Sequence, residues 1–217
     1  MDHNSLSQVL QVGTGAAFIL FPLIFVLAFS LHPGLLRPRL LKPEKIIRRA
    51  RRNKWLQFAH SLVLLSTALL IVMAIHFMRI LGQGSAAWAG LIGAVLAVLG
   101  AILLAADKGA LCLTMSALDT VPDDKFSAMM PGLLAMFSKK GWMVLLWGML
   151  LLPLGFAIQA VGLLQANALP RWESALFLVG VLLVGTPDGV EIINLSASIL
   201  MAIGMVPYGI HLLAIAF

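Results

Sequence analysis

The chain has 217 residues, of which 61% are apolar and 11% charged, against roughly 25% charged in an ordinary soluble domain. Mean hydropathy is +1.01. A soluble globule of this size could not cover such a sequence with polar surface, and the composition also excludes disorder, collagen and a disulfide scaffold. What remains is an all-α polytopic membrane protein. A lone cysteine, Cys112, allows no intrachain disulfide and no Cys-based metal spacing.

Apolar runs with few or no charges mark the expected crossings: about 10–30, 56–78, 86–106, 142–164, 170–185 and 190–217. A crossing helix needs about 20 residues, so five runs are long enough. The short fifth run predicts a nearly upright, partly re-entrant or bilayer-thinning segment. The start of the chain lacks a basic n-region, so the first run reads as a retained helix. The whole is expected to form one integral membrane domain, a six-transmembrane-helix bundle.

The connections differ in character. The first is punctuated by Pro33, Pro38 and Pro43 and then becomes a basic helical stretch, 44–54. The third, 107–140, has no strong breaker before Pro122 except Gly109, so the third helix is expected to run on past the bilayer. Thr120-Val121-Pro122-Asp123 then reads as a helix start with Thr120 as N-cap. Phe126, Met129, Met130, Leu133, Leu134 and Phe137 recur at helical spacing. That pattern predicts an amphipathic interfacial helix, about 122–138, on the cytoplasmic side.

Lys and Arg orient the bundle. Thirteen of the 15 fall in the first and third connections, which assigns these to the cytoplasm and both termini to the outside. Trp55 and Trp142 then lie at inner interfaces, and Trp88 and Trp172 at outer ones, as aromatic belts prefer. A bacterial cytoplasmic membrane is the expected location. Arg48, Arg49, Arg51 and Arg52 are candidate contacts for anionic lipid headgroups. The same cluster lacks the interleaved aromatics of a nucleic-acid surface.

Helical rise converts residue number into depth. By that measure His32, His60, Asp107, Lys108, Asp188 and Glu191 share the inner interface, with Asn194 just beyond it. Carboxylates at that depth are costly unless paired or used. One reading pairs Asp188 and Glu191 with Arg48 to Arg52 and Asp107 with Lys108 or a helix end. A second makes His32, His60, Asp107, Asp188, Glu191 and Asn194 a polar vestibule for a proton, cation or small solute. A third, metal-assisted hydrolysis, has no HExxH or GxSxG motif behind it. His60, His76 and His211 are also conceivable haem b ligands by depth alone. Against this, His60 and His76 are about 24 Å apart along one helix and point to nearly opposite sides.

Two stripes of small residues predict close helix packing: Gly141, Gly148, Gly155 and Gly162 at steps of seven, and Gly93, Ala97, Ala101 and Ala105 at steps of four. Pro207, beside the only tyrosine, Tyr208, is expected to kink the last helix. With few intramembrane charges and no catalytic motif, the leading expectation is a non-enzymatic subunit of a larger membrane complex or homo-oligomer. The alternatives are a small transporter or channel and a haem- or quinone-associated electron-transfer subunit.

Overall fold

The structure, a computed structural model, describes residues 3–33, 35–36, 39–137, 144–184 and 190–217. These residues form eight helices and no strand: α1 (His3–Ser30), α2 (Pro43–Ala50), α3 (Lys54–Leu81), α4 (Ala87–Asp119), α5 (Asp123–Phe137), α6 (Val144–Ala166), α7 (Arg171–Leu183) and α8 (Glu191–Ala214). Four are long and apolar enough to cross a membrane: α1 from Ser5, α3, α4 and α8. Leu150–Ala166 of α6 is apolar over a shorter length. α7 has 13 residues, about 20 Å of helix.

Packing closes the chain on itself. α1 lies against α3, α3 against α4, α4 against α6, α6 against α7, α7 against α8, and α8 returns to α1. Lipid is as apolar as leucine, so such contacts depend on close fit rather than on water exclusion. The two small-residue stripes supply that fit where they meet at Gly155. A Cβ added to Gly155 would lie 2.6 Å from the carbonyl of Gly93 and 2.8 Å from Cα of Ala97. Gln159, wholly buried, fastens the same junction by donating from Nε2 to the carbonyls of Ala74 and Gly90 at 2.9 and 3.2 Å. Inside the ring, Phe77 of α3 meets Phe18 of α1, Phe156 of α6 and Phe177 of α7, with ring centroids 5.1, 6.4 and 5.5 Å apart. Aromatic pairs in such tilted and edge-to-face arrangements add ~0.5–1.5 kcal/mol each beyond burial.

α4 runs unbroken through Gly109 to Asp119. Its 33 residues span about 50 Å, well beyond a hydrocarbon core of about 30 Å. Thr120 does not cap the following helix as expected. Its hydroxyl donates backward to the carbonyl of Ala117, 2.8 Å, and closes α4 instead. The basic stretch is likewise not one helix. The chain turns at Arg51 and Arg52, the latter with φ of 59°, a left-handed conformation costly for a side chain bearing a Cβ. The amide of Arg52 held by Asp119 Oδ1 at 2.7 Å stabilises that turn. Asn53 then caps α3 by accepting the Leu56 amide at 3.1 Å. A small separate core of Ile47, Leu118, Phe126, Met130 and Leu133 binds α2 to α5 and to the end of α4. α8 continues as helix through Pro207.

Candidate functional site

One end of the bundle holds a cavity of about 220 Å³. The end of α1, at Ser30, is followed closely by Pro33, which disfavours further helix before it. His32 therefore leaves the helix at this level, with its Nδ1 3.0 Å from the carbonyl of Ala28. Its ring stands edge-on to that of His60 of α3, centroids 5.6 Å apart. The long α4 carries Asp107 and Lys108 to the same place, joined by an ion pair of 3.3 Å. α2 contributes Arg49, and the first turn of α8 contributes Glu191, which is buried. Leu56, Leu111, Met115 and Met136 complete the wall with apolar surface. Charges of both signs and two imidazoles thus face a common space from five chain segments. Low polarizability around them strengthens each interaction relative to water.

The sequence-predicted residues separate into those that meet and those that do not. His32, His60, Asp107 and Glu191 line the cavity together, as depth alone suggested. Asn194 is buried one turn further along α8, where its carbonyl accepts the Ser198 hydroxyl at 2.8 Å, and does not line the cavity. Asp188, with Thr186, Pro187 and Gly189, lies outside the described residues, as do Lys139, Lys140, Gly141 and Trp142. His60 is not brought to His76 or His211. It faces His32, whereas His76, sixteen residues further along α3, has its Nε2 2.7 Å from the Tyr208 hydroxyl.

The basic stretch finds acids that the sequence reading did not connect with it. Arg51 donates to Asp123 Oδ1 at 2.7 Å, to the carbonyl of Leu118 at 3.3 Å and to the carbonyl of Val121. Its guanidinium lies over the Phe126 ring, 4.2 Å from the centroid. Arg52 reaches the same carboxylate at 3.1 Å, and Arg48 pairs with Glu44 at 3.0 Å within α2. Arg51 is 10% exposed and Asp123 73%, so this is a planar cation buried under an exposed acid. The two guanidiniums, Arg51 by its hydrogen bond first, hold the Asp123 carboxyl below the usual carboxylate range.

One group went unnoticed in the sequence. Glu173, in the first turn of α7, is 6% exposed, and its Oε2 is without a hydrogen-bond partner among the described residues. It lies within electrostatic reach of Tyr208 and His211. The available signal was its position: it is the only acid in the run 170–185, and a carboxylate there is functional by default. No group of three His, Cys, Asp or Glu among the described residues is placed to hold a metal ion.

Fold and site together define a class: an all-helical protein with membrane-length apolar helices and a charged cavity at one end of the ring. Comparison with known proteins finds no matching family model, no matching curated protein and no matching solved structure.

Proposed function

We propose that the protein is a small transporter or channel of a bacterial cytoplasmic membrane, with the cavity as its cytoplasmic vestibule. In this reading six helices cross and α5 lies on the cytoplasmic interface. α7 offers about 20 Å of helix to a core of about 30 Å. α6 and α8 flank it. The orientation is supported by the packing of α2 on α5, which gathers both basic connections at one end. Exposed Trp88 and Trp172 open α4 and α7 at the other end, where an aromatic belt is expected. Arg48, half exposed, remains available to anionic headgroups.

The observation that carries the proposal is the convergence of His32, Arg49, His60, Asp107, Lys108 and Glu191 on one cavity. Helix packing does not require it, and ionisable groups within membrane segments are expensive to keep. The cavity is smaller than the ~300–1,000 Å³ of drug-sized pockets. It suits a small polar solute with charge of its own. The competing reading, a subunit of a larger complex, rests on few intramembrane charges, smooth Gly/Ala faces and the absence of catalytic motifs, none of which calls for a charged cavity.

The test offers amino acids, short-chain amines and dicarboxylates to purified protein in a thermal-shift assay, and then to proteoliposomes as flux substrates. A binder at one hundred times its Kd stabilises by ~2.7 kcal/mol. At least one solute is expected to stabilise the protein and to cross, with both effects lost in Asp107→Asn and Glu191→Gln. Flux unchanged in both variants would refute the vestibule.

A further inference from the structure

At the other end of the ring, about 24 Å along α3 from His60, a second group of ionisable side chains meets inside the bundle. Its geometry is independent of the vestibule. The backbones of α7 and α8 touch here: a Cβ at Gly204 would sit 2.8 Å from the carbonyl of Glu173. One turn further along α8, Tyr208 presents its hydroxyl to His76 of α3 at 2.7 Å. Phe18 of α1 stands edge-on to both rings, with centroids 5.4 Å from His76 and 5.2 Å from Tyr208, and seals the pair from the core side. Glu173 of α7 is buried within electrostatic reach of Tyr208, with Oε2 unpartnered among the described residues. A carboxylate serving only as a helix N-terminal charge would bond a first-turn amide or face water. This one does neither with Oε2.

The charged or titratable groups around Glu173 are few. α8 contributes Tyr208 and His211, and α3 brings His76 to Tyr208, with Arg79 in electrostatic reach of His76. On α7 itself, Arg171 is engaged with Asn167 Oδ1 at 2.8 Å. α1 and α6 contain no Asp, Glu, Lys or Arg. No ion pair of Glu173 is present among the described residues.

We propose that Glu173, backed by the Tyr208–His76 pair, is a proton-binding site. A hydronium ion from the aqueous phase at the entrance of α7 gives its proton to Oε2, leaving water and a neutral carboxyl. Release returns the proton to water and restores the carboxylate. The bundle gains one positive charge on loading and loses it on release, so no other reactant is needed. α3 carries both His76 and His60, and α8 carries both Tyr208 and Glu191, so two helices run from this site to the vestibule. Use of the proton to drive a solute rests on the transport reading above, whereas proton uptake itself does not.

Infrared difference spectra of the purified chain in detergent, taken from about pH 8 to about pH 4, bracket ordinary carboxyl and imidazole titration. Nine Asp and Glu residues and a single tyrosine keep the spectrum assignable. A protonated-carboxyl band is expected that is lost in Glu173→Gln and moved but retained in Glu173→Asp. The ring band of isotope-labelled Tyr208 is expected to shift with the same midpoint, and to stop shifting in Glu173→Gln. Asp107→Asn and Glu191→Gln are expected to keep both signals, so a failed vestibule leaves this result standing. The proposal is overturned if Glu173→Gln retains every carboxyl band of the wild type, or if Tyr208 is silent through the titration. Should Glu173→Gln not fold, Glu173→Asp decides alone, by a displaced band or an unchanged one.

Discussion

Alanine at Gly155 tests whether α4 and α6 touch backbone to backbone. The new Cβ would meet the Gly93 carbonyl at 2.6 Å, Cα of Ala97 at 2.8 Å and the Ala97 amide nitrogen closer still. Carbon contacts settle at ~3.5–4.0 Å, so the helices must part by about 1 Å, a gap that forfeits a quarter to a half of each contact across the seam. Overpacking of this kind costs ~1–3 kcal/mol, offset by ~1 kcal/mol for the better helix propensity of alanine. The expected net loss is about 0–2 kcal/mol. Gly100→Ala is expected to match it, because its Cβ would meet Leu152 Cα at 2.6 Å on the same seam. One separation relieves both clashes, so the double variant should fall short of additivity by about 1 kcal/mol. Gly13→Ala is the control: nothing lies within 4 Å of its Cβ, so it should keep the propensity gain of up to ~1 kcal/mol with no clash to offset it. The assay is unfolding of the detergent-solubilised chain by titrated dodecyl sulfate, followed by circular dichroism. Gly155→Ala as stable as Gly13→Ala would refute the close seam.

Three further outcomes follow from the same geometry. The Asp123 carboxyl is held below its ordinary range, so its support for the α2–α5 junction is complete above that range and lost as pH falls through the depressed value. Protection of α5 amides against hydrogen exchange, taken relative to the intrinsic rate at each pH, should therefore fall at acid pH in the wild type and be low at neutral pH in Asp123→Asn. Tyr208→Phe removes the 2.7 Å partner of His76 and leaves a ring nitrogen unsatisfied. A loss of ~1–3 kcal/mol is expected in the same unfolding assay, and an unchanged midpoint would argue against the pair. Arg51→Lys keeps the charge but not the planar fork over Phe126 or the reach to two carbonyls. It should loosen α5 nearly as much as Arg51→Ala, which proteolysis of the α4–α5 connection would report.

Depth was the most legible quantity in the sequence, because an α-helix advances a fixed distance per residue. It grouped His32, His60, Asp107 and Glu191, and these line one cavity. The uninterrupted run past Gly109 likewise predicted the length of α4. Azimuth was less legible. Depth placed His76 and His211 at one level, but only packing could show that His76 turns to Tyr208. The acids that meet Arg51 and Arg52 were invisible for a related reason. Asp119 and Asp123 lie some seventy residues away in sequence, and charge counting cannot choose among distant partners. Thr120 illustrates a local ambiguity: Thr-x-Pro-Asp suits a helix start, yet the same hydroxyl serves a helix that has not yet ended. Glu173 was overlooked because it sits beside Arg171 and Trp172, residues that read naturally as an interface marker.

Side-resolved thiol labelling tests the central claim, a water-filled vestibule opening to the cytoplasm, most directly. In a Cys112→Ser background, His60→Cys places a thiol on the cavity wall and Ser85→Cys places one in the connection between α3 and α4. A membrane-impermeant maleimide is expected to label His60→Cys in inverted vesicles but not in intact cells, and Ser85→Cys in intact cells but not in inverted vesicles. Labelling of His60→Cys from outside intact cells, or from neither side, would contradict the account.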